Sequence, residues 1–161
     1  MTSKAAEGLV IGVGNEFRHD DGVGLVVAQR LREQAVPGLT ILEQSGEGAA
    51  LLEAWKGHAT VFLVDAVNSG APPGTIHRLD ARAGQVPSRL FRDSTHAVSV
   101  AEAIELARAL DQLPPCLLLY GIEGKDFTAG AGLSPELAPA VAKVLAQLLA
   151  ERGLCRADIP V

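Results

Sequence analysis

A chain of 161 residues that is 48% hydrophobic can bury a sizeable core without a metal or disulfide staple, and one domain covering residues 1–161 is expected. Its net charge of −5 and its aromatic content of only 4% exclude the basic, ring-bearing surface that a nucleic-acid reader needs. The apolar runs stop far short of the ~20 residues that cross a bilayer, and the opening MTSKAAEG has no secretory pattern, so a cytoplasmic protein without a membrane partner is expected.

Short aliphatic runs alternate with longer amphipathic ones, the pattern of a sheet covered by helices. Gly8 to Gly12 reads as a first buried strand, and Gly22 to Gln34 as a helix with Val23, Val26, Val27 and Leu31 on one stripe. Leu39 to Glu43 is a second strand, Gly48 to Lys56 a short helix, and Thr60 to Val67 a third strand, apolar enough to be central. Pro72, Pro73 and Gly74 mark a turn, after which Thr75 to Leu79 alternates as a half-exposed edge strand. Asp80 to Asp93 is irregular, Ala97 to Leu110 an amphipathic helix, and Leu117 to Ile122 another buried strand. Glu123 to Leu133 is a glycine-rich loop, and Ser134-Pro135-Glu136 caps a last helix that runs to about Arg152. The expected fold is a three-layer α/β/α sandwich with a twisted, mostly parallel sheet of about five strands, one of them an antiparallel edge strand. Cys116 and Cys155 form no metal spacing and no disulfide framework, and both are expected to be reduced.

In such a sheet, ligands collect outside the carboxyl ends of the strands. Asp20 and Asp21 follow the first strand, Asp65 ends the third, and His96 opens the helix before the last strand, with Ser94 or Thr95 as its cap. Asp20 reads best as a helix cap. Capping alone leaves Asp21 unexplained, since Gly22 beside it allows something bulky to approach. Asp65 lies within VFLVDAV, and burying an ionised carboxylate there demands a partner. Two carboxylates about 4 Å apart repel by roughly 4 kcal/mol at an effective dielectric near 20, so an apposed Asp21 and Asp65 call for a cation or a shared proton. A neutral His96 imidazole would complete a mixed ligand set suited to Ni, Zn, Mn or Fe.

The remaining polar residues carry less. His19 reads as a solvated loop residue, His58 and His77 have little context, and Glu47 stands beside the same cleft between two glycines. Dinucleotide binding fits poorly: Gly12-Val13-Gly14-Asn15-Glu16-Phe17 puts an aromatic where the third glycine belongs, and two aspartates follow where a pyrophosphate would dock.

Taken in order, GVGN with DDGVG, VDAV, STH, YGIEG and GLSPE resemble the nickel-iron hydrogenase maturation endopeptidases over nearly the whole chain. The resemblance implies a twisted parallel sheet between helices and an enzyme that cuts a C-terminal extension from the hydrogenase large-subunit precursor after nickel insertion. It places the family's metal-binding and catalytic residues on Asp21, Asp65 and His96, the first position being Asp or Glu in the family. Nickel would be supplied by the substrate, with zinc or another divalent ion able to occupy the site, and a monomer is expected. Glu47 departs from the family, which often has a small polar residue in that glycine turn. The competing reading is a nickel-sensing scaffold that docks on the precursor and cuts nothing.

Overall fold

The computed structural model describes residues 8–45, 47–87, 90 and 99–152. Among these, β1 (Gly8–Val13), β2 (Leu39–Gln44), β3 (Thr60–Val67), β4 (Ile76–Asp80) and β5 (Cys116–Glu123) form one sheet in the order β2-β1-β3-β5-β4. Neighbours are parallel except β4, which runs antiparallel to β5. β3 is central and every one of its residues is buried, as its largely aliphatic sequence predicts. The chain leaves β1 for one edge and then returns to the other side of β1 to lay down β3. Loops after β1 and β3 therefore border the crevice at a topological switch point.

Alternation along each strand sorts side chains into two cores. Leu9, Ile11, Leu63 and Leu119 pack with Leu51 and Trp55 of α2 (Gly48–Trp55) and Ile104 and Ala107 of α3 (Val100–Ala109). Val10, Phe62, Val64 and Leu118 pack with Val23, Val27 and Leu31 of α1 (Val23–Glu33) and Val141, Val144 and Leu148 of α4 (Ala138–Glu151). The expected three-layer arrangement is thus the observed one.

α1 lies unusually close to the sheet. A Cβ on Gly24 would stand 2.2 Å from the Val64 carbonyl oxygen and 2.4 Å from that of Val13, and one on Gly12 would stand 2.3 Å from the Gly24 oxygen. Only hydrogen fits at either position. The last helix is fastened differently: Arg78 Nε donates to the two Glu151 oxygens at 2.9 and 2.7 Å, and Arg78 Nη2 and the Tyr120 hydroxyl also donate to that carboxylate.

Several boundaries differ from expectation. His19–Gly22 forms a 3-10 turn, so α1 begins at Val23 and neither aspartate caps it. α3 begins at Val100, with the Ser99 hydroxyl accepting from the Glu102 N–H at 3.2 Å; Ser94, Thr95 and His96, expected at its start, lie outside the described residues. Pro135–Leu137 is another 3-10 turn, and the Ser134 side chain makes no cap bond there. Cys116 is disulfide-bonded, not a free thiol. Its position at the start of a buried strand gave no hint of this, and Cys155, the other cysteine of the sequence, lies outside the described residues.

Two outcomes follow. Gly24→Ala forces helix and sheet apart and should destabilise by about 3 kcal/mol in urea unfolding. Burial pushes the Glu151 carboxyl upward, but bonds from Arg78 and Tyr120 and the guanidinium charge outweigh it and hold the group below its ordinary value of 4.5. A lowered folded-state pKa contributes stability above the unfolded value and loses it as pH falls through the folded one. Glu151→Ala should therefore cost about 1–2 kcal/mol at neutral pH, discounted because Arg78 is partly solvent-screened, and the gap to wild type should close as pH falls below that ordinary value.

Candidate active site

Asp65 occupies the carboxyl-terminal part of β3, between Val64 and Ala66, where strand pairing with Gly121 fixes its backbone. It is buried at 8% exposure, and its Oδ1 accepts the following Ala66 N–H at 2.8 Å. Burial and then the negative charge of Asp21 push its carboxyl well above the ordinary value, against the pull of the Ala66 bond. Asp21 is thus close enough to act electrostatically on Asp65, as the two loops at the switch point require. The Asp21 side chain is 24% exposed, and Arg18 Nη1 lies 3.8 Å from its Oδ2. One carboxylate is enclosed and the other open to the crevice. Among the described residues no three His, Cys, Asp or Glu side chains make a metal-holding group, and the expected third member, His96, lies outside those residues.

Asp20 turns away from this pair. Fully buried, its carboxylate accepts the N–H groups of Lys125 (2.7 Å), Asp126 (2.9 Å) and Ser134 (2.6 Å) and the Ser134 hydroxyl (2.8 Å). Burial raises its pKa, but these bonds prevail and lower it. The cap expected from sequence is instead a clasp on the 124–134 loop, because a 3-10 turn at three residues per revolution points successive side chains about 120° apart. His19, expected to be solvated, belongs to the same seam: its φ is 47°, its Nδ1 lies 3.1 Å from the Gly132 oxygen and its Nε2 lies 4.0 Å from Asp126 Oδ2.

Asp65 pairs with Gly121, and Gly121 with His77, so the imidazole shares the Asp65 face of the sheet. His77 Nε2 lies 3.1 Å from Oε1 of Glu123, a carboxylate 1% exposed that also accepts the Ser69 N–H at 3.0 Å and the Ser69 hydroxyl. Sequence reading passed over Glu123 by placing it at the start of a loop. The available signal was a carboxylate ending an aliphatic strand, the same signal that singled out Asp65. Gln44, also missed, ends β2 level with Val13, and among the described residues its buried Oε1 has no hydrogen-bond partner. Glu47 is exposed and makes no cap bond at the start of α2. His58 precedes β3 and so lies at the opposite end of the sheet.

A family model described as "HycI: Hydrogenase maturation protease" matches residues 25–151. The hydrogenase expression/formation protein HupD of Thiocapsa roseopersicina is 31% identical over 157 residues, covering 91% of this chain and 69% of that protein. The hydrogenase 2 maturation protease of Escherichia coli K12 is 28% identical over 147 residues, 88% of each chain. Among solved structures, that of an endopeptidase from Escherichia coli matches with a TM-score of 0.78 and 26% identity, over 95% of this chain and 94% of that one.

Asp20→Ala strands buried backbone donors and should cost about 3 kcal/mol or more. Hydrogen exchange at the Lys125, Asp126 and Ser134 amides should accelerate in the variant; unchanged protection there would contradict the clasp.

Proposed function

Since the chain belongs to the hydrogenase maturation protease family, we propose that this endopeptidase removes the C-terminal extension of a nickel-iron hydrogenase large-subunit precursor once nickel has been inserted. Asp21, Asp65 and His96 are the residues assigned to meet that nickel. The carrying observation is Asp65: a carboxylate enclosed in the central strand, with one backbone donor from its own neighbour and a second carboxylate acting on it. Such a pair is costly when both groups are ionised and favourable once a cation or proton joins it.

Oxygen donors from two loops, with an imidazole, suit a borderline divalent ion and leave room for ligands from elsewhere. Nickel carried by the precursor enters as part of the substrate; zinc or another divalent ion fits the same donors. A bound divalent ion supplies Lewis acidity toward a carbonyl or water. Asp65, held by its pairing with Gly121 of β5, sets the position of the substrate relative to the end of the sheet. Asp21 approaches from the 3-10 turn and is the more accessible donor. Asp65, raised in pKa by burial and by Asp21, can hold the proton that amide hydrolysis must deliver to the leaving nitrogen.

The test is the mass of nickel-loaded large-subunit precursor before and after incubation. Wild type should release the tail, while Asp21→Asn and Asp65→Asn should each slow release by about 100-fold or more. Asp65→Asn should keep or raise the melting temperature, because it removes a buried charge. Cutting by both variants at the wild-type rate would remove the assignment, and a complex with no lower-mass product would favour the scaffold.

A further inference from the structure

Phe17 is 69% exposed, the most open of the large apolar side chains among the described residues. Single exposed apolar residues are common on protein surfaces, so the backbone that presents this one decides whether it matters. The Phe17 N–H donates to Asn15 Oδ1 at 2.9 Å, and the Phe17 carbonyl accepts the Gly130 N–H at 2.9 Å. Immediately afterwards, Arg18 bridges to Gly130, and the His19 N–H donates to the Gly130 oxygen at 2.8 Å. The ring is therefore held out in solvent by a backbone tied down before and after it.

The same loop is built directly on the turn that carries Asp21. The Asn15 N–H donates to the Asp21 carbonyl at 3.2 Å, and Gly14, with φ at 157°, lies so close that a Cβ there would stand 2.0 Å from that oxygen. A Cβ on Gly22 would stand 3.2 Å from Cα of Glu16. Phe17 thus belongs to a loop whose backbone is packed directly on the turn that carries Asp21. Leu106 and Leu110, the other exposed large apolar residues among those described, are on α3 and have no such tie to the site.

We infer that Phe17 is a specificity-determining anchor, against which the precursor lays an apolar side chain from the segment around the scissile bond. The inference rests on the endopeptidase reading, because that reading brings an extended chain to Asp21 and Asp65, past the loop that bears the ring. A preformed aromatic anchor is efficient in such a role: rings dominate interface energetics, and an already ordered backbone loses little entropy on binding. The inference also accounts for an aromatic at this point in the chain, where the fold asks only for a loop residue.

The experiment compares wild type, Phe17→Ala and Phe17→Leu for KM, kcat and melting temperature, with nickel-loaded precursor as substrate and precursor binding measured separately by titration. Phe17→Ala should raise KM and weaken precursor binding by about tenfold or more, with kcat and melting temperature close to wild type; Phe17→Leu should recover most of the loss. An unchanged KM in Phe17→Ala, a fall confined to kcat, or a melting temperature lowered in step with activity would each overturn the anchor. Precursor that binds wild type but is never cut would remove the endopeptidase reading, and the binding ratio between wild type and Phe17→Ala would still decide the anchor. Precursor that does not bind wild type at all would remove both.

Discussion

The contact between α1 and the sheet at Gly12 and Gly24 is the constraint on which the crevice depends. With hydrogen alone at both positions, the first turn of α1 lies against the Val13 and Val64 carbonyls. A helix and a sheet separated by ordinary side chains would carry the preceding turn away from the end of β3. Here the close approach keeps the His19–Gly22 turn beside the central strand, and the charge of Asp21 is felt at Asp65. The glycines that superficially suggest a dinucleotide fingerprint serve backbone approach, and the residues that follow them are acids rather than phosphate binders.

Two adjacent aspartates do opposite work because of the helix type they occupy. One residue's step around a 3-10 turn is enough to send Asp20 into the protein and Asp21 toward the crevice. Asp20 has its carboxylate satisfied by the 124–134 loop and is held ionised. That loop in turn meets Phe17, Arg18 and His19 through Gly130 and Gly132. The clasp thus immobilises the platform from which Asp21 projects.

The layers and the edge position of β4 were legible in the sequence, since aliphatic runs and amphipathic stripes encode burial directly, whereas the strand order came only with the structure. Asp65 was legible as well, because a charge within VFLVDAV conflicts with its surroundings. What escaped was long-range partnership. Asp20 finds donors more than a hundred residues away, Ser134 gives its hydroxyl to that carboxylate instead of capping the helix after it, and His77 meets Glu123 across an antiparallel strand pair. Local pattern carries no record of which distant donor a polar side chain will reach. The disulfide at Cys116 escaped for the same reason, as a cysteine in an apolar strand reads like any small hydrophobe.

Glu123 and Asp65 show two ways in which this sheet holds a buried carboxylate. Both end or nearly end a buried strand, and both face the same side of the sheet. Glu123 is saturated: Ser69 supplies an N–H and a hydroxyl, His77 approaches from β4, and the turn after β3 is fastened as a result. Among the described residues, Asp65 has the N–H of Ala66 and a neighbouring like charge. A buried carboxylate in a central strand lowers stability, and it persists because the apolar residues around it in β3, buried on both faces, more than offset the cost. At the switch point, then, a carboxyl raised by burial and by a like charge stands between two carboxylates whose partners are in place: Asp20, clasped by the 124–134 loop, and Glu123, held by Ser69 and His77.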